Sequence, residues 1–308
     1  MRAALVTVSY AADFERCALL VETARRYADL PHYIVVSRAD FPRFSSLLGG
    51  RTRLVVIEDI WPWRLVEVQR VRLWLSLYAP PMRGWILQQV VKLAAADFVG
   101  EEVLVFADSE VAFVRPFDAS HVVDGAGRVR LYHCPGFGKT GRHLQWQRAA
   151  ARLLGLEPRF FGADYVGNII TWRRDTLLQL RERISAHHRD WRRAVCRRLD
   201  LSEYTLYGIF VESVLGGAGH YPDEHHLCHA LWTLDGDPTA SLRNHLSTLG
   251  PSQVAVQIQS RLGIPVAVYR EALLSFERSR ILRPTWKRGV RRGNTNGTRW
   301  AVAYPVRL

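Results

Sequence analysis

The chain has 308 residues, 48% of them apolar, with a formal net charge of +13. That composition excludes a disordered chain, and the length holds one large α/β domain or two small ones around a substantial core. No apolar run reaches the ~18 residues needed to cross a bilayer, and residues 1–10 are too short and too polar at their end for a signal peptide.

The positive charge is almost all arginine, since lysine occurs only at Lys92, Lys139 and Lys287. It is spread along the chain rather than gathered in one block, which argues against a specific nucleic-acid partner. Anionic small molecules or an anionic membrane surface explain it equally well. Cys17, Cys134, Cys196 and Cys228 are scattered without a CxxC pair, which disfavours a zinc ribbon and fits a reducing cytoplasm.

In chain order, residues 5–10 read as a first strand and 14–28 as a helix with apolar positions at helical spacing. A buried strand follows within 32–37, then a short helix begun by Asp40 and Pro42, then a strand at 54–57 ending in Glu58-Asp59. Trp61-Pro62-Trp63 breaks the rhythm, and 64–79 reads either as a helix or as an irregular aromatic lid. Residues 85–96 form a clear helix, and the strand 103–107 comes next. Residues 129–133 read as a strand, 134–142 as a glycine-rich basic loop on the acceptor side, and 143–154 as a helix. A strand at 168–172, long helices at 175–191 and 202–215, and a late strand at 254–258 complete the pattern. Strands alternating with helices at this spacing predict an α/β fold with a doubly wound, mostly parallel central sheet flanked by helices. No repeat or low-complexity linker interrupts it. A single domain over 1–265 with a basic C-terminal extension over 266–308 is expected.

The most informative segment is Val103-Leu104-Val105-Phe106-Ala107-Asp108-Ser109-Glu110. An apolar strand runs into two carboxylates at i and i+2, which lie on one face of an extended chain. Close carboxylates repel unless a cation sits between them, and hard divalent ions prefer oxygen ligands. In α/β sheets ligands bind at the carboxyl ends of strands. A metal holding a phosphate against Asp108 and Glu110 is therefore expected, the ordinary alternative being a turn with solvated acids.

Strand one, the helix segment Gln88-Gln89-Val90-Val91-Lys92, the strand ending in Asp108-Ser109-Glu110 and the following Val114-Arg115-Pro116-Phe117 resemble nucleotide-sugar glycosyltransferases of the GT-A fold. Within these the chain resembles the bacterial group labelled DUF6492. Ser202-Glu203-Tyr204-Thr205-Leu206-Tyr207-Gly208, Leu227-Cys228-His229 and Gln257-Ile258-Gln259-Ser260 carry the likeness further, over roughly residues 3–265. The resemblance implies a GT-A-like, Rossmann-like fold, a nucleotide-diphosphate sugar donor (UDP- or GDP-sugar) and a divalent cation, Mn²⁺ or Mg²⁺. The acceptor would be a small molecule, a glycan or a lipid-linked sugar. The usual Asp-x-Asp motif has Glu110 at its second position here, one methylene longer.

Several residues carry two readings. Thr7, Ser9 and Tyr10 end strand one, where such a fold places nucleobase and ribose; they fit an ordinary strand-to-helix turn with Asp13 capping just as well. Asp59 ends strand three and is a further nucleotide contact. Lys92 suits the diphosphate or donor sugar, or else is a solvated helix residue, and Asp108 suits the ribose or bridges to the metal. Glu203 is a candidate general base for the acceptor hydroxyl, inversion being favoured if it lies across the anomeric carbon; it also suits a helix start. Among His220, His225, His226 and His229, the last is the candidate third metal ligand because it lies in the Leu-Cys-His match. Asp235-Gly236-Asp237-Pro238 is better explained as a turn.

The tail Arg278, Arg280, Arg283, Lys287, Arg288, Arg291, Arg292 and Arg299 suits peripheral contact with anionic lipid or a solvated surface. The rival readings are a sugar-phosphate nucleotidyltransferase, disfavoured by the absence of glycine in Ala11-Ala12-Asp13-Phe14, and a non-catalytic protein binding polyanions or lipid.

Overall fold

The computed structural model describes residues 1–281 apart from 62, 69, 70 and 72. Five strands form the central sheet: β1 (Ala3–Val8), β2 (His32–Val36), β3 (Thr52–Val56), β7 (Val103–Ala107) and β12 (Ile169–Arg173). Their order is β12-β7-β1-β2-β3. β7, β1, β2 and β3 run parallel, while β12 lies antiparallel on β7 with Ile169 opposite Ala107. β1 is buried on both faces, as a central parallel strand should be. Ala4 and Val6 join Leu104 and Phe106 in one core, and Ala3 and Leu5 join Val103 and Val105 in another.

Helices cover both faces. α1 (Phe14–Tyr27) contributes Leu20 and Ala24 on one side, and α3 (Gly84–Leu93) contributes Ile86, Leu87, Val90 and Val91 on the other. The short α2 (Phe41–Phe44) lies between β2 and β3. Beyond the sheet, β8 (Val111–Phe113) pairs with β15 (Ala255–Ile258), which pairs with β14 (Cys228–Leu231). β9 (Val129–Tyr132) pairs with β13 (His220–Asp223), and β10 (Cys134–Pro135) with β11 (Ala163–Asp164). α4 (Gly141–Leu154), α5 (Arg174–His188) and α7 (Glu203–Ile209) follow the order expected from sequence, and α6 (Trp191–Cys196) is an additional helix.

Three segments differ from the sequence expectation. Within the segment expected as helix or aromatic lid, residues 66–68 and 73–75 are strands. β4 (Val66–Val68), β5 (Leu73–Leu75) and β6 (Met82–Arg83) form a small antiparallel sheet there. The helix expected over 175–191 stops at His188, where Arg189 takes φ 66° and α6 starts afresh. The helix expected over 202–215 ends at Ile209 and continues as one π-helical turn, Phe210–Val214.

The acidic pair at 235–237 is a turn, and Asp237 caps α8 (Pro238–Ser247) by accepting from the Ala240 amide at 2.8 Å. α9 (Val266–Ile281) packs Tyr269, Ala272 and Leu273 against Leu19 of α1 and Leu242 and Leu246 of α8. The basic positions Arg283, Lys287, Arg288, Arg291, Arg292 and Arg299 lie outside the described residues. Among the described residues no helix is long and apolar enough to cross a membrane.

Thr7 belongs to this architecture rather than to a ligand site. It is fully buried, and its hydroxyl donates to the Ala107 carbonyl at 2.9 Å. Its single proton is thereby used, so His32 Nε2, 2.9 Å away, must be the donor of the second bond. This chain of contacts ties β2, β1 and β7 together. Burial, with Arg25 nearby, pulls the His32 pKa down to about 3; burial, with His229 beside it, pulls His245 down to about 4.

Unfolded histidine titrates near ~6.5. Between that value and the depressed ones, the unfolded chain binds protons that the folded chain refuses. Stability is therefore whole above about pH 6.5 and falls as pH drops towards about 4. Urea unfolding should give a lower stability at about pH 5 than at about pH 7, with a shallower fall in His245→Asn. An unchanged slope in that variant would remove His245 from the account.

Candidate functional site

β7 delivers Asp108 to the carboxyl edge of the sheet, and the chain then turns at once. The Asp108 carbonyl accepts from the Val111 amide at 3.0 Å, so residues 108–110 form a tight turn rather than an extended tip. The two carboxylates nevertheless open onto one cavity of about 440 Å³, which also receives Asp13, Lys92, His143 and Glu203. Asp108 is half-exposed. Glu110 is held from the side: one oxygen accepts from Gln257 Nε2 at 3.0 Å and the other from the Ser260 amide at 2.7 Å. Gln257 stands opposite Val111 in the β8–β15 pairing, which is why its amide reaches Glu110.

Lys92 is the hub of the opposite wall. Its side chain is 9% exposed, and Nζ lies 3.0 Å from Glu203 Oε1 and 3.6 Å from Asp108 Oδ1. It also donates to the Tyr204 hydroxyl at 2.7 Å. Burial works against the ammonium charge, but Tyr204, Glu203 and Asp108 outweigh it and push the lysine well above its ordinary range. Two of its N–H donors go to Glu203 and Tyr204, and Asp108 is held by charge at the longer distance. Lys92 thus braces two carboxylates, which differs from the diphosphate contact expected from sequence.

Glu203 is the first residue of α7, whose start is capped by Ser202 accepting from the Thr205 amide at 3.4 Å. The position of α7 is fixed by aromatic packing. Trp172 of β12 stacks on Tyr207 at 4.7 Å and meets Phe106 of β7 edge-on at 4.6 Å. Gly208 lets α7 come this close, since a Cβ there would sit 2.1 Å from the Tyr165 ring. The strand that ends in Asp108 and the helix that starts with Glu203 are therefore held in one register by three rings.

Asp13 is a residue the sequence reading assigned otherwise. It stands at the start of α1 but makes no side-chain cap bond. Instead Ser109 Oγ lies 3.4 Å from its carboxylate. Burial, and next the Glu110 charge, push its pKa above the ordinary aspartate range. His143, in the first turn of α4, was also missed. Its Nδ1 is 3.1 Å from Asp164 Oδ1, a carboxylate 2% exposed, and its ring lies 4.8 Å from Trp146. Gly138, at φ 86°, folds the expected acceptor-side loop onto this pair: a Cβ there would lie 3.0 Å from Gln147 and 3.2 Å from His143. The only sequence signal for His143 was its place directly after that loop.

A second, larger cavity of about 730 Å³ lies beside the first and shares Val8, Trp85 and Gln88 with it. Ser9 and Tyr10 line it, together with Ser37, Asp40, Glu67 and Trp74. Asp59 does not reach either cavity; it is exposed and paired with Arg38. His229 stacks on His245 at 3.9 Å with Nε2 3.2 Å from Thr248 Oγ1, also away from both cavities. Among the described residues no three His, Cys, Asp or Glu side chains converge to hold a metal.

The donor set still fits a hard cation. Mg²⁺ is usually bound through one or two carboxylates with substrate phosphates and water completing the shell. Asp108 and Glu110 supply two carboxylates, and beside them Gln257 Oε1 is a buried oxygen without a hydrogen-bond partner.

The chain belongs to the family described as "Family of unknown function (DUF6492)", whose model matches residues 4–237. No curated protein matches it in sequence. Among solved structures, it is similar to the galactosyltransferase LgtC in complex with donor and acceptor sugar analogs. The identity is 12% over 92% of this chain and 98% of that one, with a TM-score of 0.45. An active-site mutant of LgtC is similar at 10% identity, over 90% of this chain and 95% of that one, with a TM-score of 0.44.

Replacing Lys92 by methionine leaves Glu203 buried without its counter-charge. Removing one partner of a buried pair costs ~3–5 kcal/mol, so Lys92→Met should lose about that much in urea unfolding. A loss below ~1 kcal/mol would mean that the pair behaves as a solvated one.

Proposed function

We propose that the chain is a glycosyltransferase that moves a sugar from a nucleotide-diphosphate sugar, UDP- or GDP-linked, to an acceptor hydroxyl. The observation that carries this reading is the sharing of one cavity by Asp108, Glu110, Lys92 and Glu203, next to a larger cavity at the ends of β1 and β2. The larger cavity lies within the ~300–1,000 Å³ typical of small-molecule sites.

The charges of the two cavities orient the donor. Asp40 and Glu67 line the larger one, against Arg83. Burial, and next Asp40, raise the Glu67 pKa. Carboxylates of this kind accept from ribose hydroxyls or base N–H groups and repel phosphate. The nucleoside therefore lies there, with Tyr10 offering a ring to the base. The diphosphate lies at the smaller cavity, where Asp108 and Glu110 hold Mn²⁺ or Mg²⁺. A bound cation there would neutralise the charge that develops on the departing nucleotide.

Lys92 keeps Asp108 and Glu203 fixed. Glu203 takes the proton of the acceptor hydroxyl as its oxygen bonds to the anomeric carbon and the bond to the diphosphate breaks. If Glu203 acts from the face opposite the leaving group, the product is inverted. Trp85, His143 and Trp146 form the acceptor side of the cavity, with Asp164 orienting the imidazole. A cytoplasmic setting, with peripheral contact to anionic membrane, completes the reading.

A thermal-shift screen of UDP-, GDP-, dTDP- and CDP-sugars with and without Mn²⁺ tests it. A ligand at about 100 times its Kd adds ~2.7 kcal/mol to the folded state, a readable rise in Tm. The expected result is stabilisation by one nucleotide class, dependent on Mn²⁺, lost in Asp108→Ala and kept in Asp59→Ala. Indifference to every nucleotide defeats the reading, and the anomer released by an active preparation decides between inversion and retention.

A further inference from the structure

The antiparallel ribbon β4–β5 packs Trp74 into the main core and turns an aliphatic face outward. Glu67 and Trp74 stand opposite each other and line the larger cavity. The alternate pairs, Val66 with Leu75 and Val68 with Leu73, must project from the other face, because strand side chains alternate. That outer face is entirely aliphatic over these strands. Val66 is 47% exposed and Leu75 40%, and in the turn that follows Leu77 is 98% exposed. Trp74 already anchors the inner face in the core, so these outward aliphatic side chains add nothing to the packing of the domain.

Along β4 this face is bordered by Arg38, Arg64 and Glu58, two cations to one carboxylate. Arg64 precedes β4 and is exposed. On the other edge, Arg193 of α6 lies over the rings of Trp63 and Tyr78, at 5.7 and 5.3 Å, and Arg197, exposed, ends the same helix. Exposed aliphatic side chains rimmed by arginines match an anionic bilayer, whose interface takes up the apolar groups while its phosphates meet the guanidiniums. A protein partner fits less well: stable protein interfaces bury about 800 Å² on each side, and a ribbon of two three-residue strands offers far less.

We propose that the β4–β5 ribbon docks on an anionic phospholipid bilayer, with Val66, Leu75 and Leu77 in the interfacial layer and Arg64, Arg193 and Arg197 against the headgroup phosphates. The docking gives a surface to the peripheral membrane contact of the proposed function but does not depend on sugar transfer. It does place the wall of the larger cavity, through Glu67 and Trp74, directly behind the membrane contact.

The test is co-sedimentation of the full chain with vesicles of phosphatidylcholine alone and of equal parts phosphatidylcholine and phosphatidylglycerol. The wild type should sediment with the anionic vesicles and leave the neutral ones. Leu75→Glu/Leu77→Glu should bind at least about tenfold more weakly. A control pair with the same charge change elsewhere, Leu48→Glu/Leu274→Glu, should bind as the wild type does; both leucines are exposed.

Melting curves check the fold of each variant, and Leu77→Glu alone replaces the pair if it melts early. Three results overturn the proposal. The wild type ignores anionic vesicles, it binds neutral ones equally, or the ribbon and control pairs weaken binding alike. The last would assign binding to overall charge.

Discussion

One buried ammonium organises the site. Lys92 stands where α3, the end of β7 and the start of α7 meet, and it holds Asp108 and Glu203 from the inside. Along that cavity wall four carboxylates, Asp13, Asp108, Glu110 and Glu203, face this one lysine. The protein as a whole carries +13, so the local excess of negative charge runs against its own background. Carboxylates crowded in this way either take up protons or gather a cation. Burial first, and the Glu110 charge second, push the Asp13 pKa in the direction of the first response. A divalent ion would supply the second, and a diphosphate would then complete the neutralisation.

The site is also held mechanically. Phe106, Trp172 and Tyr207 form a continuous stack from the strand behind Asp108 to the helix that carries Glu203. Tyr207 is fixed in turn, because its hydroxyl accepts from the Arg173 amide at 2.8 Å and lies 2.8 Å from His220 Nε2. His220, one of the histidines that reads as a metal candidate in the sequence, is thus a support for the aromatic stack. Rigid placement of this kind is what a carboxylate needs if it is to meet a substrate in one orientation.

Much of this was legible in the chain, for physical reasons. β7 is a continuous apolar run and β1 and β2 are nearly so, which is the signature of buried parallel strands; β3 is apolar only from Leu54 to Val56. Asp108 and Glu110 follow such a run directly, so their place at the sheet edge could be read. What could not be read depends on contacts distant in sequence. Lys92 looks like any helix lysine until Glu203, 111 residues later, is brought against it. His143 gains significance only from Asp164, and Asp13 only from Ser109 and Glu110. The reverse also holds: Thr7 and His229 sit in suggestive motifs, but their partners, His32 and His245, make them structural. The β4–β6 sheet escaped because its strands are two or three residues long, too short for any period to show.

In that small sheet one face serves both the core and the cavity, since Trp74 packs in the core and lines the cavity with Glu67. Strands this short are marginal without a packed face, and the face they do pack carries Glu67 beside Trp74. One residue of register would turn Val66, Val68, Leu73 and Leu75 inward, but it would expel Trp74 from the main core. The chain keeps the opposite register. Glu67 and Trp74 in that register form a polar and an aromatic wall for the larger cavity, and the aliphatic face is left to solvent as the necessary counterpart. Because the pleat links the two faces, any change that quiets the outer surface by shifting register would also rebuild the cavity. The ribbon therefore has no route to a fully polar exterior except by substitution, and the chain has not taken it.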